Sequence, residues 1–172
     1  YAASLRQAHA GGARIHNNSW GASTGNAYTG YDFDADDTTW ALEDLLVVAS
    51  AGNRDEAIAA IGSPGNAKNA LTVGALLHGA STCPATLYTT QGQWGSSIGP
   101  GSGWRDKPEI SAPGSSTISA AGDDLSVGGE EPALTKALSG TSMAAPTVAG
   151  GAALMRQYFA EGWYPRGVAR GG

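Results

Sequence analysis

The sequence predicts an α/β fold, a mostly parallel sheet with helices on both faces, and three observations carry that expectation. Helical stretches alternate with short apolar runs, which is the pattern of a crossover-connected parallel sheet. The run Leu45-Leu46-Val47-Val48-Ala49 is continuously apolar, as strands covered on both faces are. Glycine is abundant, at 26 of 172 residues, and clusters in turn-like groups such as Gly62-Ser63-Pro64-Gly65, Gly99-Pro100-Gly101 and Gly128-Gly129. Many tight connections follow.

Taken in order, residues 2–10 read as the tail of a helix, with Gly11-Gly12 where a left-handed C-cap is expected. Residues 13–19 then read as a strand. The next helix is expected over residues 37–44, acidic in its first turn, and it leads into the buried strand at 45–49. A second such strand is expected at 69–75. Residues 76–108 are rich in Gly, Ser, Thr and Pro and read as a surface loop system. Short strands resume at 109–112 and 117–120. A helix over residues 142–160 closes the chain, with Pro146 in the tolerated first turn. No internal repeat and no second domain is visible.

Composition excludes several functions. The net charge of −5, with 10 Lys and Arg and no basic run, gives no footprint for nucleic acid or an anionic membrane surface. The longest apolar runs, residues 45–51 and 148–155, fall short of the roughly 20 residues that span a bilayer. A single cysteine, Cys83, forms no internal disulfide and no structural zinc site. Asp32, Asp34, Asp36 and Glu43 have the spacing of a calcium loop, but Asp37 replaces the glycine of the sharp turn. The preferred reading of these carboxylates is a helix start, and no metal site is assigned.

The chemistry concentrates in Gly140-Thr141-Ser142-Met143-Ala144-Ala145-Pro146, a serine at the start of a small-residue helix. Such a hydroxyl faces outward beside free backbone N–H groups that can receive a developing oxyanion. Three further segments precede it: Arg14-Ile15-His16-Asn17-Asn18-Ser19-Trp20-Gly21, Ala49-Ser50-Ala51-Gly52-Asn53, and Gly95-Ser96-Ser97-Ile98-Gly99-Pro100 followed by Lys107-Pro108-Glu109-Ile110-Ser111-Ala112-Pro113-Gly114. In this order they resemble the subtilisin-like serine proteases, over residues 13–160. The Asn-Asn-Ser-Trp-Gly form is most similar to the alkaline subtilases of the KP-43 type.

The resemblance implies a subtilisin-like partial domain and a role for each matching residue. Ser142 would be the nucleophile, and Asn53 with the Ser142 N–H would form the oxyanion hole, supported by Thr141. Ser19, Trp20 and Gly21 on one side and Ser50, Ala51 and Gly52 on the other would hold an extended peptide by backbone hydrogen bonds. Gly62 would lie near the floor of the first specificity pocket, its missing side chain leaving room for a large apolar residue. A protein or peptide substrate and an extracellular setting are likewise implied. Calcium is allowed in the parent protein, with no ligand set carried over to this chain.

Half of the expected machinery is absent. Subtilisin-like chains run Asp, His, Ser in sequence. The histidines here are His9, His16 and His78, and none stands in the family's His-Gly-Thr-His setting upstream of the substrate strand. His78 follows Asn53, so its order is wrong. The expectation is therefore the C-terminal part of one catalytic domain, residues 1–172, with the segment alone inactive and the Asp and His N-terminal to Tyr1, on another chain, or lost; truncation is the simplest of these accounts. A non-catalytic peptide-binding member remains the alternative. A sedolisin-like acid protease is disfavoured by Met143 and by Ser50-Ala51-Gly52-Asn53.

Overall fold

A computed structural model describes residues 1–54, 60–77, 95–99, 103, 105–121, 135–165 and 167. His78, Cys83 and the Gly128-Gly129 turn lie outside the described residues. The elements are α1 (Ala2–Ala10), β1 (Ile15–Asn18), α2 (Gly30–Ala41), β2 (Leu46–Ser50), β3 (Asn53–Arg54), β4 (Ala70–Leu76), β5 (Gly95–Ser96), β6 (Ile110–Pro113), β7 (Thr117–Ala120), β8 (Thr135–Leu138) and α3 (Thr141–Ala160). Strands β1, β2, β4 and β6 form one sheet in the order β1-β2-β4-β6, and every pairing in it is parallel.

Alternation along β2 divides the core between the two faces, because successive strand side chains point opposite ways. Val47 and Ala49 pack with Leu5 and Ala35 under α1 and α2. Val48 packs with Val73, Ala75 and Ala112 against Ala144 and Ala145 of α3. The small residues at the start of α3 let it lie close to the sheet, which fixes where Ser142 sits.

The ends of α1 and α2 show how local chemistry sets boundaries. After α1, the Gly12 N–H bonds the His9 carbonyl (2.9 Å) and the Ala13 N–H bonds the Ala8 carbonyl (3.0 Å), with Gly12 at φ +99. This is the Schellman closure that a helix ending in Gly-Gly favours. Helix α2 starts at Gly30, well before the expected residue 37. Thr29 and Asp32 form a capping box, with the Thr29 N–H donating to Asp32 Oδ2 at 2.7 Å. The Thr-x-x-Asp spacing was readable in the sequence, but the aspartates were assigned to the first turn instead. Helical geometry sends Asp32, Asp34 and Asp36 in different directions, each to its own partner. Asp34 accepts from the Ala2 N–H (2.9 Å), and Asp36 from the Lys68 and Asn69 N–H groups (3.0 and 2.7 Å). Among the described residues no group of three or more His, Cys, Asp or Glu side chains is placed to hold a metal, and no helix is long and apolar enough to cross a membrane.

Three short strands were not expected. β3 and β5 pair antiparallel, and β8 pairs antiparallel with β7. β5 falls inside the stretch read as a loop system; two residues carry no periodicity to read.

Lys107 anchors the segment leading into β4. Its side chain is fully buried, and Nζ bonds the Ala67 carbonyl (2.9 Å), the Ala70 carbonyl (3.0 Å) and Thr72 Oγ1 (3.0 Å), with Glu109 as counter-ion. Burial pulls its pKa below the ordinary lysine value, and Glu109 opposes that shift. Lys107→Met leaves three buried acceptors without a donor. We expect a loss of about 2–4 kcal/mol, read from chemical denaturation of wild type and variant.

Candidate active site

β8 ends at Leu138, and the chain turns through Ser139 and Gly140 into α3, making Ser142 its second residue. Ser142 Oγ donates to the Ser19 carbonyl at 3.0 Å, and Ser19 Oγ donates to the Ser142 carbonyl at 2.8 Å. This reciprocal pair ties the helix start to the end of β1. Asn17 Nδ2 donates in turn to Ser19 Oγ at 2.9 Å.

Pro146 makes the pair available. With Thr141 as the first helical residue, Pro146 lies beyond the first turn, not within it as the sequence suggested. A proline has no N–H, so the Ser142 carbonyl loses the donor it would take from four residues on. The Ser19 hydroxyl fills that vacancy.

Asn53 follows β2 after the turn at Gly52. Its Oδ1 accepts from the Thr141 N–H (3.0 Å) and from Thr141 Oγ1 (3.1 Å), while Thr141 Oγ1 accepts from the Gly52 N–H (3.2 Å). Two donors on Oδ1 fix the orientation of the amide and leave Nδ2 as a donor with no partner among the described residues. Gly140 permits this approach: a Cβ there would come within 3.2 Å of Asn53 Nδ2. Asn53 and Ser142 line a common cleft of about 450 Å³, and Ser142 also carries a helix-start N–H with no partner inside the helix.

The cleft brings together most of the residues singled out in the sequence. Trp20, Gly21, Ser50, Gly52, Asn53, Gly62, Thr141 and Ser142 all line it. Ser19 lies next to it through its bonds with Ser142. Ala51 differs: its N–H bonds the Val73 carbonyl (3.0 Å) and its carbonyl accepts from the Gly62 N–H (3.1 Å), so it has no backbone group left for a peptide. Gly62 also has another reason to be glycine. A Cβ there would meet the Ala22 carbonyl oxygen at 2.9 Å, where Ala22 and Ser63 form an antiparallel bridge, so the bare Cα serves close backbone approach. Trp20 is 43% exposed and packs edge-on against Tyr1 (5.3 Å) and Tyr31 (5.4 Å). Ala22, Ser23, Ala60 and Ser97 line the cleft as well and were not singled out. Ala22 and Ser23 follow Gly21, and Ala60 lies two residues before Gly62; Ser97 stands in the Gly95–Pro100 segment that carries the resemblance, with no role attached to it there.

No base reaches Ser142 among the described residues. His9 bonds Asp44 (2.7 Å), and His16 sits on β1 with Nδ1 buried, near the Asn18 side chain and away from Ser142 in sequence. Burial lowers the His16 pKa. The cleft thus combines a serine hydroxyl with two N–H donors, groups of the kind that acyl transfer uses alongside a base.

Residues 1–169 match the model of the subtilase family. The chain belongs to the subtilase family. Among curated subtilase relatives, it is 28% identical to the "Serine protease/ABC transporter B family protein tagD" of Dictyostelium discoideum, over 91% of this chain and 13% of that protein. Identity is also 28% to tagB of the same organism, over 91% of this chain and 12% of that one. Among solved structures, the Patellamide maturation protease PatA superposes with a TM-score of 0.64 at 26% identity, covering 94% of this chain and 51% of its own. The Prenylagaramide maturation protease PagA gives 0.62 at 25%, covering 94% and 50%. The chain therefore spans about half of these solved subtilases and a much smaller share of the curated relatives.

Proposed function

We propose that this chain carries the nucleophile and oxyanion half of a serine endopeptidase site, with the orienting Asp and the base His supplied by sequence preceding Tyr1 in the parent protein. Ser142 Oγ attacks the scissile carbonyl carbon while the histidine takes its proton. The tetrahedral oxyanion lies between Asn53 Nδ2 and the Ser142 N–H. Collapse expels the amine with that proton, leaving an acyl-enzyme that water hydrolyses. The observation that carries the reading is the double tether of Asn53 Oδ1 to Thr141, which leaves Nδ2 without a partner among the described residues at the cleft that Ser142 lines.

Two features favour a partner half. β1 is an edge strand of the sheet, and beyond its first turns α3 exposes Leu154, Met155 and Phe159 at 68, 65 and 57%. Apolar area of that extent on one helix is costly in water. The named activity of PatA and PagA as maturation proteases supports a peptide substrate, and the family resemblance supports secretion. Asn17-Asn18-Ser19-Trp20-Gly21 supports a place near the KP-43-type enzymes. The rival reading, a non-catalytic peptide-binding member, is favoured by one observation: Ser142 Oγ donates to a carbonyl, which cannot take its proton.

Labelling with a fluorophosphonate separates these readings. The parent protein is expected to react at Ser142, and the 172-residue segment alone is expected to stay unlabelled. An unreactive parent overturns the protease reading. Strong labelling of the isolated segment overturns the claim that the base lies outside it.

A further inference from the structure

β2 leaves the sheet just where the cleft begins. Its last regular partner is β4, with Ser50 opposite Val73, and the Ala51 N–H still reaches the Val73 carbonyl at 3.0 Å. After that the chain diverges into Gly52 and Asn53. In a strand, residues two apart point their N–H and C=O groups to the same neighbour, so Ala75 N–H faces the place β2 has vacated. A buried N–H without a partner is costly. Here the partner is the hydroxyl of Ser96, whose Oγ accepts from the Ala75 N–H at 3.0 Å in a residue only 1% exposed.

Ser96 is also the residue opposite Asn53 in the β3–β5 pair, and the next N–H, that of Ser97, bonds the Gly52 carbonyl at 2.9 Å. Ser96 therefore joins the rigid sheet through its side chain, while its neighbour Ser97 ties the same segment to the Asn53 strand at Gly52. Asn53 is held from two directions: its amide by Thr141, its main chain by β5. The first hold reaches the central sheet through the packing of α3, the second through the Ser96 hydroxyl on β4.

Building on the protease reading above, we propose that Ser96 is a positioning residue for the oxyanion hole: its hydroxyl replaces β2 at Ala75 and so sets how far the Asn53 strand stands from β4. Ser96 touches neither substrate nor nucleophile. Its effect passes through Asn53, and it scales with the sensitivity of catalysis to displacements of about an ångström.

The test is a double-mutant cycle in the parent protein, with kcat expressed per active site titrated by the fluorophosphonate. Ser96→Ala is expected to lower kcat roughly tenfold with KM within about twofold of wild type. In an Asn53→Ala background the same change is expected to have little further effect, because no amide remains to be misplaced. A merely structural serine lowers the folded fraction and leaves kcat per titrated site alone. Where Ser96→Ala fails to fold, Ser96→Cys keeps the shape with a weaker acceptor, and a smaller loss in the same direction is expected. An unchanged kcat, or an undiminished loss in the Asn53→Ala background, overturns the proposal. A parent with no activity sinks the protease reading instead. In that case a crystal structure of the Ser96 variant decides the matter: Asn53 in its wild-type place relative to Thr141 overturns the positioning role.

Discussion

Ser142→Ala in the parent protein is expected to lower kcat by about a millionfold, the scale set by removing the nucleophile from the triad of subtilisin itself. The physical reason is that the acyl-enzyme of the proposed mechanism forms on this hydroxyl. Thr141 Oγ1, the adjacent hydroxyl, is committed to Asn53 Oδ1 and to the Gly52 N–H. The variant should fold normally, because its missing hydroxyl made one bond, to a carbonyl of a residue at the cleft edge. Peptide binding should survive, since the oxyanion donors and cleft walls remain. Hydrolysis of a chromogenic peptide measures the loss, and inhibition by a product peptide checks that the cleft is intact. Residual activity above a thousandth of wild type would assign the nucleophile elsewhere.

Asn53→Ala is expected to cost about 3 kcal/mol of transition-state stabilisation, a 10²- to 10³-fold drop in kcat, on the scale found for the equivalent donor in subtilisin. KM should change little, because the amide strengthens its bond only as the carbonyl oxygen becomes an oxyanion. Asn53→Asp provides the sharper comparison. It retains an acceptor for Thr141 and removes the Nδ2 donor, placing negative charge beside the developing oxyanion. Its kcat should fall below that of Asn53→Ala. If the two variants are equally active, or if both retain wild-type kcat, the oxyanion role is wrong.

The candidate site was legible in the sequence through the order of its segments. Ser142 after Gly140-Thr141 reads locally as an N-cap and Asn53 after Gly52 as a turn residue; the four ordered segments over residues 13–160, and their resemblance to the subtilisin-like proteases, are what make both candidates. The sheet was legible locally, since a run such as residues 45–49 is apolar whichever partners it meets. Where local reading erred, a neighbour in the sequence had been given the wrong weight. The start of α2 was placed at the acidic run, while the Thr29–Asp32 box set it earlier.

Other features were decided only when distant segments met. Pro146 looks like a residue of the first helical turn until the helix is seen to start at Thr141; its consequence then appears in Ser19, which bonds the carbonyl that the proline leaves free. Ala51 was read as an edge for substrate, yet Val73 and Gly62 consume its backbone groups. Gly62 was read as open space, yet Ala22 lies against it. Ser96 and Ser97 stand in a segment that carries the resemblance, but nothing local gives either a role. The sequence by itself determined the fold class, through the periodicity of its apolar runs, and its ordered segments, by their resemblance to the subtilisin-like proteases, pointed to the candidate nucleophile and to the lack of a histidine in that family's setting. Tertiary structure alone decided which polar groups are already bonded and which stay free for a substrate, because a hydrogen bond is spent on whichever partner the fold brings within about 3 Å, and sequence distance does not constrain that choice.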